Sequence, residues 1–271
     1  MKSKILSVIL VMVLFITSYM PASVVQASEI GNVDSCAMDY LENKEIINND
    51  VKIKSFYSNY DTSAAITTTG DLYCWGRYGQ VGNNSTGDNQ LTPVKILDNV
   101  KEFYLDDSTS AVITANDDLY CWGDNTCGQV GDNTRIYQSM PTKILDNVEA
   151  FYLDDETSAA ITANGDLYCW GYNKYGQVGN NTNDYQLTPV KILENIKEFY
   201  LDDGTSAAIT TNGDLYCWGH NSAGRVGNGS TEDSQLTPVK ILENVKEFYF
   251  DYYTSAAITT NGDLYCWGHN S

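Results

Sequence analysis

Apolar residues in this chain fall in short runs with no helical spacing. Within one stretch, residues 148–153, 158–163 and 167–171 form three runs of strand length, and 189–193 forms a fourth. Asn164-Gly165 separates the second run from the third, as Asn212-Gly213 and Asn261-Gly262 do further on. This pair predicts two-residue hairpins of type I′, in which both residues take a positive φ. Pro189 opens the fourth run, and Pro93, Pro141 and Pro238 stand at equivalent places. A residue without an N–H suits a sheet edge, so the fourth strand is predicted to be the outermost.

Alternation of apolar and polar positions is weak. Phe199-Tyr200-Leu201 and Ala207-Ala208-Ile209 are apolar at consecutive positions, so both faces of each sheet must be covered. The pattern also repeats. Asn-Gly-Asp-Leu-Tyr-Cys-Trp-Gly at 164–171 has near-copies at 69–76, 116–123, 212–219 and 261–268. The motif cysteines, Cys74, Cys121, Cys169, Cys217 and Cys266, are 47, 48, 48 and 49 residues apart. A two-layer sandwich would leave one face of each sheet polar. Four strands per repeat with two apolar faces predict an all-β propeller, its blades packed face to face.

The first residues do not fit this pattern. Lys2 and Lys4 precede an uncharged apolar run of 12 residues (5–16), and Val25-Gln26-Ala27 offers small residues for cleavage. The run is shorter than the ~20 residues a membrane span needs, so residues 1–27 are predicted to be a signal peptide and the protein secreted or held at the cell surface. Residues 28–50 form a polar leader, and residues 51–271 the repeat domain.

Without Lys2 and Lys4 the balance is 14 basic against 35 acidic residues. Nucleic acid and anionic membrane surfaces are thereby disfavoured as partners. Cationic partners, metal ions and neutral ligands remain. The five motif cysteines read as small buried residues, since equivalent positions of neighbouring blades lie too far apart for disulfides. Cys36 and Cys127 fall outside the motif, and their pairing is left open.

Gly-Asp-Leu-Tyr-Cys-Trp-Gly-Tyr-Asn-Lys-Tyr-Gly-Gln-Val-Gly at 165–179 resembles the signature of the regulator-of-chromosome-condensation (RCC1) repeat, and the likeness runs over about 51–271. The resemblance implies a β-propeller, usually seven-bladed. Its members include chromatin-bound exchange factors, ubiquitin-ligase accessory domains and a secreted bacterial β-lactamase inhibitor. Fold does not choose among these roles. The chain departs from the pattern in three places. Asp106-Asp107, Asp154-Asp155 and Asp202-Asp203 replace the usual Gly-Gly, and Thr109, Thr157 and Thr205 stand at the usual His position. In the first repeat Arg77-Tyr78 shortens the loop after Trp75-Gly76. Ser271 falls inside that same loop of the fifth repeat, leaving five three-strand units but four outer strands. An incomplete or open ring is expected. Glu45-Ile46-Ile47 is the one segment seen to resemble a missing outer strand, and unpaired ends would invite self-association.

Strand direction puts the turn after each first strand and the loop after each third strand on one face. That face carries Asp106, Asp107, Asp154, Asp155, Asp202, Asp203 and Asp251 together with Tyr78, Tyr172, Tyr175 and His220. Two readings of the aspartates stand. They are turn residues multiplied by repeat copying, or they form an acidic mouth for a cation or a Lys/Arg-bearing partner. His220 and His269 share one repeat position, and no hydrolase, metalloprotease or phosphate-loop motif occurs. No catalysis and no cofactor are expected. The expected function is a secreted or cell-surface module binding a protein or glycan through the loop face, with inhibition of an extracellular enzyme as the alternative. Guanine-nucleotide exchange, which the resemblance also suggests, conflicts with the expected export and the acidic charge.

Overall fold

A computed structural model describes residues 52–269 except 60, 78, 86, 107, 155, 231 and 252. The expected signal peptide, Cys36, Glu45-Ile46-Ile47, Tyr78, Asp107 and Asp155 lie outside the described residues.

The chain folds into five antiparallel sheets, taken strictly in sequence order. Blade 1 contains β1 (Ile53–Ser58), β2 (Thr62–Thr67), β3 (Leu72–Gly76) and β4 (Gln90–Leu97). Blade 2 contains β5 (Val100–Leu105), β6 (Thr109–Thr114), β7 (Leu119–Gly123) and β8 (Gln138–Leu145). Blade 3 follows with β9 (Val148–Asp154), β10 (Thr157–Thr162), β11 (Leu167–Gly171) and β12 (Gln186–Leu193). Blade 4 has β13 (Ile196–Asp202), β14 (Thr205–Thr210), β15 (Leu215–His220) and β16 (Ser234–Leu242). Blade 5 has β17 (Val245–Asp251), β18 (Thr254–Thr259) and β19 (Leu264–Gly268). The described residues form an arc that does not close into a ring.

The second strand of each blade is the most buried. In β10 every residue of Thr-Ser-Ala-Ala-Ile-Thr is buried, and its small alanines let sheets pack against both sides. The core lies between blades. Ile113, Leu119 and Cys121 of blade 2 pack with Phe151 and Trp170 of blade 3, and the same set recurs at the other three interfaces. Trp122, Trp170 and Trp218 are fully buried. Burying a side chain of this size stabilises the fold by about 1.5–3 kcal/mol.

Each tryptophan also satisfies a buried polar atom. Trp218 Nε1 and Ser206 Oγ of blade 4 both donate to the Gln177 carbonyl, which belongs to the preceding repeat, each at 2.8 Å. Trp170 and Ser158 clip the Gln129 carbonyl in the same way, and Trp267 and Ser255 clip that of Arg225. The indole reaches so close that a Cβ on Gly179, at φ +86°, would lie 2.8 Å from Trp218 Nε1. Glycine is required there.

The structure corrects two local expectations. Gly165, Gly213 and Gly262 have positive φ (78, 84 and 88°), but Asn164, Asn212 and Asn261 do not, so these hairpins are not type I′. The Gly165 N–H instead bonds the Thr162 carbonyl (2.8 Å), and the Thr162 N–H bonds the Asp166 carbonyl (3.0 Å). This is a longer loop with its glycine in a left-handed bulge position, and Ala163 belongs to the turn. Positive-φ asparagines occur at Asn99, Asn147, Asn195 and Asn244, in the connections from one blade to the next.

The outer strands begin earlier than expected. Pro189 is the fourth residue of β12, not the first. β12 is outermost, as expected, and its pairing with β11 is irregular between Cys169 and Gly171, where a residue without an N–H is accommodated. Of the motif cysteines, Cys74, Cys121, Cys169 and Cys217 are buried, and burial pushes their thiol pKa values far up. Cys266 differs. It is exposed, because no described strand pairs with β19 on its outer side.

Candidate functional site

Turns after the first strands and loops after the third strands meet on one face. Backbone pairing joins them: the Tyr172 N–H bonds the Glu156 carbonyl at 3.0 Å, and the His220 N–H bonds that of Gly204 at 2.9 Å. The threonines standing where the resembled family carries His complete the joint. Thr157 Oγ1 donates to the Tyr172 carbonyl (3.1 Å), and Thr205 Oγ1 to the His220 carbonyl (2.7 Å). Asn173 holds the longer loop from within. It is fully buried, its Nδ2 donating to the carbonyls of Thr182 (3.1 Å) and Asp184 (3.0 Å) while Oδ1 accepts from the Val178 N–H (2.9 Å). Loops held this way present side chains in fixed positions.

A cavity of about 650 Å³ opens on this face between blades 2, 3 and 4. Asp106, Asp154, Glu156 and Asp203 supply carboxylates to its wall, Tyr172 and Tyr175 supply rings, and Gln177 supplies an amide. One Asp154 carboxylate oxygen is shut off from solvent. Along the rim runs a chain of rings. Tyr185 lies 5.5 Å from Tyr172, Tyr172 lies 6.4 Å from Tyr175, and Tyr175 stacks on His220 at 4.3 Å. Arg135 sits over the Tyr185 ring, 4.7 Å from its centroid. Burial, then the neighbouring tyrosines, raise the pKa of Tyr172, so its hydroxyl is a neutral donor and acceptor.

Arg225 anchors the far end. Its guanidinium is almost wholly buried, bonding Asp203 Oδ2 at 3.1 Å, the Asp203 carbonyl, and His220 Nδ1 at 2.8 Å. A guanidinium only donates, so His220 Nδ1 must accept and the ring is neutral. Burial first and the Arg225 charge second depress the His220 pKa. Cys127, at the near end, donates Sγ–H to Glu156 at 2.9 Å. Its pKa is pushed up to about 11 by burial and by that carboxylate, so it is held as the thiol.

Of the residues expected from sequence, the structure gathers Asp106, Asp154, Asp203, Tyr172 and Tyr175 around the cavity, with His220 on its rim. Asp202 ends β13 and Asp251 ends β17, and neither lines the cavity. Glu156, Gln177, Tyr185 and Arg225 are added by the structure. The readable signal for Arg225 was Ala-Gly-Arg-Val-Gly at 223–227, where the three preceding repeats carry Gln between Gly and Val-Gly. Among the described residues no group of three or more His, Cys, Asp or Glu could hold a metal ion.

Comparison with known proteins agrees with this architecture. A family model described as the regulator of chromosome condensation (RCC1) repeat matches residues 164–199 and 212–249, and a second model of the same description matches 107–129 and 252–271. No curated protein sequence matches. Among solved structures, human WBSCR16 is similar at 20% identity with a TM-score of 0.63, covering 80% of this chain and 62% of its own. Prp20p from Saccharomyces cerevisiae is similar at 21% identity with a TM-score of 0.59, covering 75% of this chain and 55% of its own. In a complex with Kap60 the same yeast RCC1 (Prp20) aligns at 21% identity and a TM-score of 0.61, covering 80% of this chain and 56% of its own. The chain thus spans about three fifths of the length of these structures, and likeness at this identity carries the fold alone. The chain is thus a β-propeller module carrying regulator of chromosome condensation (RCC1) type repeats.

Proposed function

We propose that this chain is an exported protein-binding module whose loop face takes a basic segment of a partner protein. The observation that carries the reading is the cavity between blades 2, 3 and 4, where four carboxylates stand beside tyrosine rings. Carboxylates attract Lys and Arg, tyrosine faces bind their cations, and aromatic anchors in concave sites dominate binding energy. An acidic chain of net charge −19 adds long-range attraction for basic partners. Export rests on Lys2, Lys4 and the apolar run at 5–16. N-terminal sequencing of the mature protein tests it, with Ser28 expected first.

Binding is tested with the full chain immobilised and exposed to the extracellular fraction of its source organism. A partner should be retained by the unaltered protein, released by raising salt, and lost when Tyr172 and Tyr175 are both replaced by Ala. Lys191→Ala, on the opposite face, should leave retention unchanged. Retention that survives the tyrosine replacements, or that Lys191→Ala abolishes as well, rules out the loop face as the binding surface.

A further inference from the structure

The buried carboxamide of Gln177 carries an unused donor. Gln177 is fully buried, lines the cavity, and its Nε2 has no hydrogen-bond partner among the described residues. Its orientation is fixed, because Oε1 accepts the Tyr175 N–H at 3.1 Å and so leaves the amide N–H groups on the other side. Nε2 lies 3.4 Å from where a Cβ on Gly204 would stand, on the side of the next blade.

Equivalent positions in the flanking repeats are occupied internally. In the second repeat Gln129 Oε1 accepts the Cys127 N–H (3.0 Å) while Nε2 reaches Asp124 Oδ2 at 3.4 Å. The third repeat has Tyr172 where the second has Asp124, which removes that acceptor. In the fourth repeat Arg225 replaces the glutamine, and its guanidinium bonds Asp203 and His220. Only the third repeat of these three turns a buried donor toward the cavity without supplying the acceptor. An unmade donor in such a place costs stability until an acceptor arrives.

The ligand must therefore bring an acceptor. It must also suit carboxylates and tyrosine faces, and both kinds of guanidinium contact already occur on this surface, in Arg225 with Asp203 and in Arg135 over Tyr185. A guanidinium alone cannot satisfy Nε2, since it has no acceptor. Resting on the proposed basic-segment reading, we infer that the cavity is an arginine subsite: Asp154, Glu156 and Tyr175 take the guanidinium, and Gln177 Nε2 donates to a backbone carbonyl of the same peptide. Gln177 thus separates an arginine within a peptide from a free cation.

Titration calorimetry of the full chain with two probes tests this. N-acetyl-arginine methylamide carries both guanidinium and carbonyls, whereas butylguanidinium lacks the carbonyl. The unaltered protein should prefer the first by about five- to tenfold, the worth of one hydrogen bond. Gln177→Glu keeps the acceptor for the Tyr175 N–H, loses the donor and adds negative charge. It should erase the preference by weakening the amide probe while binding butylguanidinium at least as tightly. Asp154→Asn should weaken both probes. In ¹⁵N spectra of the unaltered protein the Gln177 side-chain amide should shift with the amide probe and not with butylguanidinium, a readout that depends on no variant folding. Equal binding of the two probes by the unaltered protein, or a preference that persists in Gln177→Glu, would overturn the arginine subsite and show that Nε2 serves a trapped water, while the acidic loop face would stand provided Asp154→Asn weakens both. Failure of the unaltered protein to bind either probe would overturn the subsite and the basic-segment reading together.

Discussion

The doubly held carbonyl at each blade interface makes a quantitative prediction. Gln177 O accepts from Ser206 Oγ and from Trp218 Nε1, both at 2.8 Å and both buried. Ser206→Ala removes one donor and leaves the oxygen satisfied by the other, a loss of about 1 kcal/mol. Trp218→Phe removes the second donor and part of a fully buried indole, costing about 2–3 kcal/mol. With both changes the oxygen keeps neither side-chain donor and bears its full desolvation penalty. The double variant should then be less stable than the sum of the singles by a further ~1–3 kcal/mol. Urea denaturation followed by far-ultraviolet circular dichroism gives the cycle. Hydrogen exchange of the β14 and β15 amides localises it to blade 4, which matters because repeat arrays open in parts. Additivity within about 0.5 kcal/mol would refute the reasoning, since it would mean the two donors do not share one otherwise unserved oxygen.

Three further outcomes are expected. Gly179→Ala combines a positive φ with a Cβ 2.8 Å from Trp218 Nε1, and should destabilise by about 2–4 kcal/mol in the same denaturation assay. The depressed pKa of His220 means that the unfolded chain binds its proton first, so the stability this residue contributes is full above the unfolded value near 6.5 and is lost as pH falls below it. The melting temperature should accordingly fall further between pH 7.5 and 5.5 in the unaltered protein than in His220→Phe; equal falls would show that the ring titrates normally. Alkylation of the native protein at pH 8 should label exposed Cys266 while sparing Cys74, Cys121, Cys169 and Cys217, and should label Cys127 slowly because its thiol is held protonated. Mass mapping of the labelled peptides reads this directly.

The repeated sheets were legible in the sequence because strand-length runs and a recurring Tyr-Cys-Trp-Gly leave little else to build. The hairpin geometry was not. Asn-Gly serves both the two-residue turn and the longer loop seen here, and the choice depends on Thr162, which bonds Asp166 through its backbone N–H and Gly165 through its carbonyl. The start of β12 was hidden because Gln186, Leu187 and Thr188 do not look like a strand approaching a proline. At the site, the aspartate turns and the tyrosines announced themselves by type and recurrence. Gln177 did not, since glutamine recurs at that position and only the exchange of Asp124 for Tyr172 changes what its amide meets. Glu156 likewise stands beside two more prominent aspartates. Expectations on residues 1–51 fall outside the described residues.

One position in each of the first four repeats bears two separate duties. At Gln80, Gln129, Gln177 and Arg225 the carbonyl oxygen receives the next blade's tryptophan, whereas the side chain points to the loop face or its neighbours. Assembly is thus written in a backbone atom that every amino acid possesses. The side chain is released from that constraint: at Arg225 it makes a different set of loop contacts, to Asp203 and His220, while the joint to Trp267 is kept. Substitution at this position can therefore reshape the loop face one blade at a time on an unchanged scaffold.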